Sequence, residues 1–361
     1  MLRNKRKTNK IIILSSAALA AIIVLFFVFI IFTEYKPNKI EEIASINEAK
    51  AESFAPGGIS IVSWNLGRCI KSEGSDSSVL SGQASSRLNE NNIKKNIDNI
   101  TSYLSKQEAD VYFLQDIDLK AYNSRMIDQV YLIGASFKKW VQYYCPVFKI
   151  PINPFPSEEN EIIVNSGFMT LSRFLPESCI RMSIGTTAKW PERIFSKKNC
   201  AVITIINSPV EGKDWYLINI NLSPDYEKQK NELETLYSYM KNLSEEGHYI
   251  IAGGNWGGVL PDMDIKTFSP FVTDIKTILW AHNLESHEIP KDWQWCYENS
   301  FPSIRSLDIP FANDKNFTSV TDGFVVSSNL KVDLIRSSDL DFESSNHNPV
   351  SITVSIRENQ P

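Results

Sequence analysis

Cysteine is scarce and unpatterned in this chain. Five residues, Cys69, Cys145, Cys179, Cys200 and Cys296, are spread over the sequence with no C-x-x-C pair. That spacing argues against a structural zinc site, whose ligands come in close pairs. The odd count leaves at least one thiol unpaired and defines no disulfide framework, although an extracytoplasmic body would permit one. The five read mainly as small buried apolar residues. No internal repeat and no low-complexity tract is present, so nothing points to an array or a disordered tail. Acid is missing from residues 1–32, which carry Arg3, Lys5, Arg6, Lys7 and Lys10. Charge of either sign is missing from residues 11–32.

What remains is an ordinary globular composition behind one apolar run. The 361 residues are 43% apolar and 22% charged, with eight Trp, enough for one large domain or two small ones. Twenty-two uncharged residues are long enough to cross a bilayer at about 1.5 Å rise each. The run shows no polar face, which a core helix would need. It ends Phe32-Thr33-Glu34-Tyr35-Lys36-Pro37, without the small-x-small site of a cleaved signal peptide, and no Cys follows closely enough for lipidation. We therefore expect an uncleaved, single-pass membrane anchor. The basic flank precedes it, which places the N-terminus in the cytoplasm and the C-terminal body outside.

With five positive charges in residues 1–32 and −5 over the whole chain, the remainder carries −10. An acidic body is poorly suited to a nucleic-acid backbone, which is held by Lys and Arg. It still admits a small phosphorylated ligand or a lipid. The organisation expected is a basic cytoplasmic tail (1–10), the anchor (11–32), a linker (33–58) with a short polar helix from Glu41, and one domain over 59–357.

Within that domain, alternating or compact apolar runs predict strands at Ile59–Leu66, Ala109–Leu114, Val141–Ile150, Ser166–Ser172, Ile180–Ile184, Cys200–Asn207, Trp215–Leu222, His248–Gly254 and Pro349–Ile356. Shorter strands are expected between Phe317 and Arg336. Helical spacing appears over Asn91–Gln107 and Pro224–Glu246, the latter closing at Gly247, with a further helix expected around Phe271 to His282. A Ser- and Gly-rich loop is expected over 71–88. Strands outnumber helices, which points to two packed sheets with helices outside.

Six short pieces fall at strand ends or beside them: Trp64-Asn65, Gln115-Asp116, Asn221-Leu222-Ser223, Gly253-Gly254-Asn255-Trp256-Gly257, Thr321-Asp322-Gly323 and Ser345-Asn346-His347. Their order and spacing, from about Ile59 to Ile356, resemble the endonuclease/exonuclease/phosphatase superfamily. This resemblance implies an α+β fold: a four-layer α/β/β/α DNase I-like sandwich. It also implies metal-assisted phosphoester hydrolysis, with a divalent ion such as Mg2+ at the phosphate, an Asp on the attacking water and an acid-oriented His.

In family members the strand ends read WN, QE, HLS, GDxN and SDH. Asn65, Asp322 and His347 keep the pattern, and Asp116 replaces the Glu metal ligand with a shorter carboxylate. Asn221 stands for the His, Asn255 for the Asp on water, Gly257 for the following Asn, and Asn346 for the Asp of SDH. An amide copies the shape of a carboxylate but carries no charge and takes no proton. The resemblance thus implies His347, Asp322, Asn65, Asn221, Asn255 and Asn346 at the catalytic positions and Asp116 as the remaining metal ligand, with a divalent cation held weakly or not at all. The expectation is a membrane-anchored pseudoenzyme with lost or much reduced hydrolysis and a binding role. Two alternatives stand beside it: an active divalent-metal phosphodiesterase acting on a phospholipid or small phosphoester, and a purely structural surface protein. Asp225 is expected as a helix cap, Asp262 and Asp264 as loop residues, and His248, His282 and His287 outside the site. No protein partner can be read.

Overall fold

The structure, a computed structural model, describes residues 2–49, 51, 56–70, 89–153, 162–185, 188–272, 275–285, 289–290, 292–307, 312 and 315–357, the side chains of 2–8 excepted. The 71–88 loop and His287 lie outside the described residues.

Two β-α-β units build the frame. In the first, β2 (Gly58–Asn65) runs parallel to β3 (Val111–Asp118), and α2 (Glu90–Leu104) makes the crossover between them. In the second, β8 (Asp214–Asn221) runs parallel to β9 (Tyr249–Asn255), joined by α4 (Tyr226–Glu245). Both helices start at a side-chain cap: Asn89 Oδ1 accepts from the Asn91 N–H at 2.9 Å, and Asp225 Oδ1 accepts from the Lys228 N–H at 3.1 Å. Asp225 is the cap the sequence implied.

Antiparallel strands extend each unit. One sheet is ordered β14-β15-β2-β3-β5-β4, adding β4 (Val141–Ile150), β5 (Val164–Ser172), β14 (Leu330–Ser337) and β15 (Val350–Ile356). The other is ordered β1-β6-β7-β8-β9-β13-β10, adding β1 (Ile40–Glu42), β6 (Ser178–Ser183), β7 (Cys200–Asn207), β10 (Gln294–Cys296) and β13 (Asp322–Val326). A small ribbon pairs β11 (Ile304–Arg305) with β12 (Thr318–Ser319).

Strand alternation divides the core. Ile59, Ile61, Val111 and Phe113 point inward and meet Trp215, Leu217, Ile251 and Phe324 of the facing sheet. Val62 and Trp64 point outward onto Ile93, Ile97 and Ile100 of α2, while Ile218 and Ile220 meet Leu233, Leu236 and Met240 of α4. The result is the four-layer α/β/β/α sandwich expected.

Three local expectations are corrected. The described part of 271–282 holds turns rather than a helix: Ile278 and Ala281 donate to carbonyls three residues back, and Phe271 and Leu279 are 74% and 63% exposed. Among its described apolar side chains none is fully buried, and apolar spacing alone does not hold a helix. The short helix expected from Glu41 within the 33–58 linker is not formed there. Glu41 and Glu42 lie in β1, which pairs antiparallel with β6 as an edge strand, and Ile46 N–H donates to Gln142 O at 2.8 Å. A short helix, α3 (Gln129–Gly134), was not anticipated.

The apolar helix α1 (Leu2–Thr33) contains a stretch, Asn9–Thr33, long and apolar enough to cross a membrane, and apart from Ile30 its apolar side chains are mostly exposed.

Candidate functional site

All six motif pieces converge at one end of the sandwich, where the four parallel strands end. Asn65 closes β2, Asn221 closes β8, Asn255 closes β9, and register pairs Asn221 with Asn255 and Asn255 with Asp322. Asp116 reaches the same place through a β-bulge in β3 between Leu114 and Ile117. Its φ of +48° is a left-handed value that Asp tolerates better than most residues. The bulge turns Asp116 into the cleft and leaves Gln115 buried between the sheets, where Nε2 donates to Asn219 Oδ1 at 2.7 Å and Ser63 Oγ at 3.0 Å.

Backbone donors fix the amide orientations. Asn65 and Asn255 each begin an N-x-G turn, and their Oδ1 atoms accept the N–H of Gly67 and Gly257, both at 3.0 Å. Each Nδ2 is thereby forced inward. Asn65 Nδ2 donates to Asp116 Oδ2 at 3.0 Å and faces Asn221 Oδ1 at 3.4 Å, and Asn255 Nδ2 donates to Asn221 Oδ1 at 3.1 Å. Asn221 in turn hydrogen-bonds Asp116. Gly257 is required by geometry: φ is +74°, and a Cβ there would lie 2.3 Å from Ser223 O. At Gly67, φ +52°, a Cβ would lie 2.5 Å from Asn346 Oδ1, so this glycine lets the Asn346 side chain pack against the turn.

On the other wall His347 is 3% exposed and its Nδ1 lies 2.8 Å from Asp322 Oδ2. The same carboxylate oxygen accepts from Ser303 Oγ at 2.8 Å and Thr321 Oγ1 at 3.2 Å. The loop backbone is pinned as well: Trp64 Nε1 donates to His347 O at 2.8 Å, and Ser345 Oγ donates to Asn65 O at 2.7 Å. Asp322 starts β13 of one sheet and His347 precedes β15 of the other, so the pair ties the two sheets together. With Nδ1 engaged by Asp322, His347 lines the cleft.

Asn65, Asn221, Asn255, Asn346 and His347 line a cleft of about 1020 Å³, and Arg68, Lys197, Lys228 and Arg305 line it with them, against Asp116, Glu192 and Glu232. The sequence reading missed these cations. Each comes from a separate segment, and no local pattern connects them.

Burial alone would raise the Asp116 carboxyl; Lys197 and Arg68, with hydrogen bonds from Asn65 and Asn221, more than offset this and hold it below the usual carboxylate range. Asp118, two residues on and buried, is driven the other way by burial, against the opposing pull of Arg68. The residues discounted from sequence lie elsewhere. Asp264 caps a turn at the Lys266 N–H, Asp262 is exposed, His248 accepts from the Asp214 N–H at 3.1 Å, and His282 Nε2 contacts Gln229 Oε1 at 2.8 Å.

The divalent cation implied by the resemblance does not fit these donors. Among the described residues Asp116 is the one carboxylate hydrogen-bonded by the amide cluster, and the Asn65 and Asn255 N–H groups point at the oxygens a metal would take. Among the described residues no three His, Cys, Asp or Glu side chains gather to hold a metal. The arrangement can instead hold an anion, through His347 and the surrounding cations.

No model of a known protein family and no curated protein sequence matches this chain. Solved structures do. An endonuclease/exonuclease/phosphatase family protein from Leptotrichia buccalis C-1013-b aligns with a TM-score of 0.52 at 14% identity, over 82% of this chain and 100% of that one. An endonuclease/exonuclease/phosphatase from Bacteroides vulgatus aligns with a TM-score of 0.50 at 10% identity, over 83% and 99%. At such low identity the likeness speaks for architecture, and the chain has the endonuclease/exonuclease/phosphatase, or DNase I-like, fold.

Proposed function

We propose that this is a membrane-anchored protein whose cleft binds a phosphorylated small molecule or lipid, with metal-dependent phosphoester hydrolysis lost or much reduced. The observation that carries the reading is the amide cluster of Asn65, Asn221 and Asn255 closed around the single carboxylate of Asp116. An amide at 255 cannot take a proton from water, and an amide at 221 cannot act as the cation a His would supply. A comparable Asp-to-Asn change in the catalytic triad of a serine protease lowers turnover about 10⁴-fold. Among the described residues four cations and three carboxylates line the cleft, which favours an anionic ligand on a body that is otherwise acidic. The apolar helix supplies the anchor, and its basic N-terminal flank supports a cytoplasmic N-terminus with the domain outside.

The intact Asp322–His347 pair, at 2.8 Å, favours a second reading in which slow hydrolysis survives. Full-length protein in detergent, incubated with Mg2+ or Mn2+ and a chromogenic phosphodiester, separates the two. The expected result is no turnover above buffer. Metal-dependent turnover in the native chain that disappears in His347→Ala would overturn the proposal.

A further inference from the structure

The exit of α1 is docked rather than tethered. Ile30, inside the uncharged stretch, is only 4% exposed and shares a small cavity with Ile150, Ile194 and Phe195 of the body. At about 1.5 Å per residue, Ile30 lies roughly 3 Å before Phe32, where the apolar stretch ends. The body residues against it are therefore level with the membrane boundary. Glu34 is buried and pairs with Arg193 at 3.1 Å, Tyr35 OH donates to Pro146 O at 3.2 Å, and β1 then joins the sheet. Four successive attachments leave little freedom for the body to turn about the helix.

The surface held at that level has a distinct chemistry. Segment 189–198 carries Lys189, Arg193, Lys197 and Lys198 against Glu192 alone, on a body whose net charge is −10. Trp190 within it is 60% exposed, and Lys149 stands over the Tyr35 ring at 5.8 Å. Exposed Trp and clustered cations are the side chains that settle at a headgroup layer. Beside the helix exit a cavity of about 180 Å³ is lined by Lys36, Arg181, Arg193 and Lys198, with Glu34 the acid among them. Burial, with Arg193 and Arg181 nearby, pulls the Lys198 ammonium down against the counter-effect of Glu34, as crowded cations would. This cavity is not separate from the cleft: Gly185, Lys197 and Asn199 line both.

We infer that segment 189–198 rests on the bilayer surface beside α1 and that the cleft takes the phosphate of an anionic phospholipid headgroup, entering past Lys197 and Asn199. This inference rests on the cleft being an anion site and adds where the anion comes from. It needs only that α1 is embedded, whichever side the body occupies.

The test uses the full chain in phosphatidylcholine nanodiscs, with or without phosphatidylglycerol, and counts retained lipids by native mass spectrometry. The native chain is expected to retain phosphatidylglycerol preferentially. Lys189→Ala/Lys197→Ala, both at exposed positions, is expected to cut that preference about fivefold per charge removed, roughly 25-fold together. Trp190→Ala is expected to weaken it further, and His347→Ala to weaken it from inside the cleft. Equal retention by native and Lys-substituted chains overturns the inference. Titration of inorganic phosphate into the undoped discs separates the two claims. Phosphate binding lost in His347→Ala without any lipid preference leaves the anion site standing and refutes the lipid source. Lipid preference that depends on Lys197 but not on His347, without phosphate binding, refutes entry into the cleft.

Discussion

Replacing Asp116 with Asn separates an anion cleft from a metal cleft, because the two predict opposite signs. The substitution preserves shape, and the new amide oxygen can still accept from Asn65 Nδ2, which now sits 3.0 Å from the carboxylate. What changes is one negative charge on the cleft floor. Take a phosphate about 7 Å away and an effective dielectric of about 40, between water and interior. Coulomb's law then gives about 1.2 kcal/mol of repulsion removed per unit of phosphate charge. That is about sevenfold in Kd. The gain is reinforced because Lys197 and Arg68, now engaged with Asp116, become available to the ligand. The assay is calorimetric titration of inorganic phosphate into the full chain in phosphatidylcholine nanodiscs, with EDTA and again with Mg2+. The expected outcome is tighter binding by Asp116→Asn, with no dependence on Mg2+ in either protein. Weaker binding by the variant, or binding that Mg2+ strengthens only when Asp116 is present, would refute the reasoning and make Asp116 a metal ligand.

The same variant has a stability signature. The Asp116 carboxyl is held below its unfolded value of about 3.9, so its contribution is present above that pH and is lost as pH falls through the folded value. The native chain should therefore melt higher than Asp116→Asn at neutral pH, and the gap should close below about pH 4. Gly257→Asn, which recreates the residue typical of the related enzymes, should destabilise by about 3 kcal/mol from left-handed backbone and the clash with Ser223 O, read as a lower denaturation midpoint. Asp225→Ala should cost about 1 kcal/mol through the lost cap of α4 and leave phosphate affinity unchanged.

Most of the frame was legible because it rests on local patterns. Alternation in Ile59–Asn65 and helical spacing in Leu233–Leu243 mark faces that the structure buries. Failures occurred where a distant partner decides the outcome. Ile40–Glu42 has no strand signal of its own and is extended because β6 offers an edge. Phe271–His282 has apolar residues at plausible intervals, but among the described ones none is fully buried: Phe271 and Leu279 are exposed, and Trp280 stacks on Phe317. At the site, the motif residues could be picked out at strand ends, whereas the cations could not. Arg68 follows β2, Lys197 precedes β7, Lys228 lies in α4 and Arg305 in β11, so only folding brings them to one cleft. The N-x-G turns at Asn65 and Asn255 were visible as residues, but their consequence, two amides turned inward, follows from the Gly67 and Gly257 N–H groups.

That consequence bears on whether the altered positions are independent losses. Asn221 Oδ1 accepts from Asn255 Nδ2 and faces Asn65 Nδ2, while Asn221 itself bonds Asp116. Donors and acceptors alternate without conflict from Asn255 to Asp116. Restoring Asp at 255 alone would keep the bond from the Gly257 N–H but set a carboxylate oxygen against Asn221 Oδ1, acceptor to acceptor. Asn221 could answer by flipping, and its oxygen would then meet Asp116. A single reversion therefore costs an unsatisfied buried contact of about 1–3 kcal/mol unless the carboxyl takes up a proton, which removes it as a base. Unconstrained decay would not be expected to leave a closed hydrogen-bond set. A closed set is what a cleft retained for binding requires, because its floor must hold its shape without a metal to organise it.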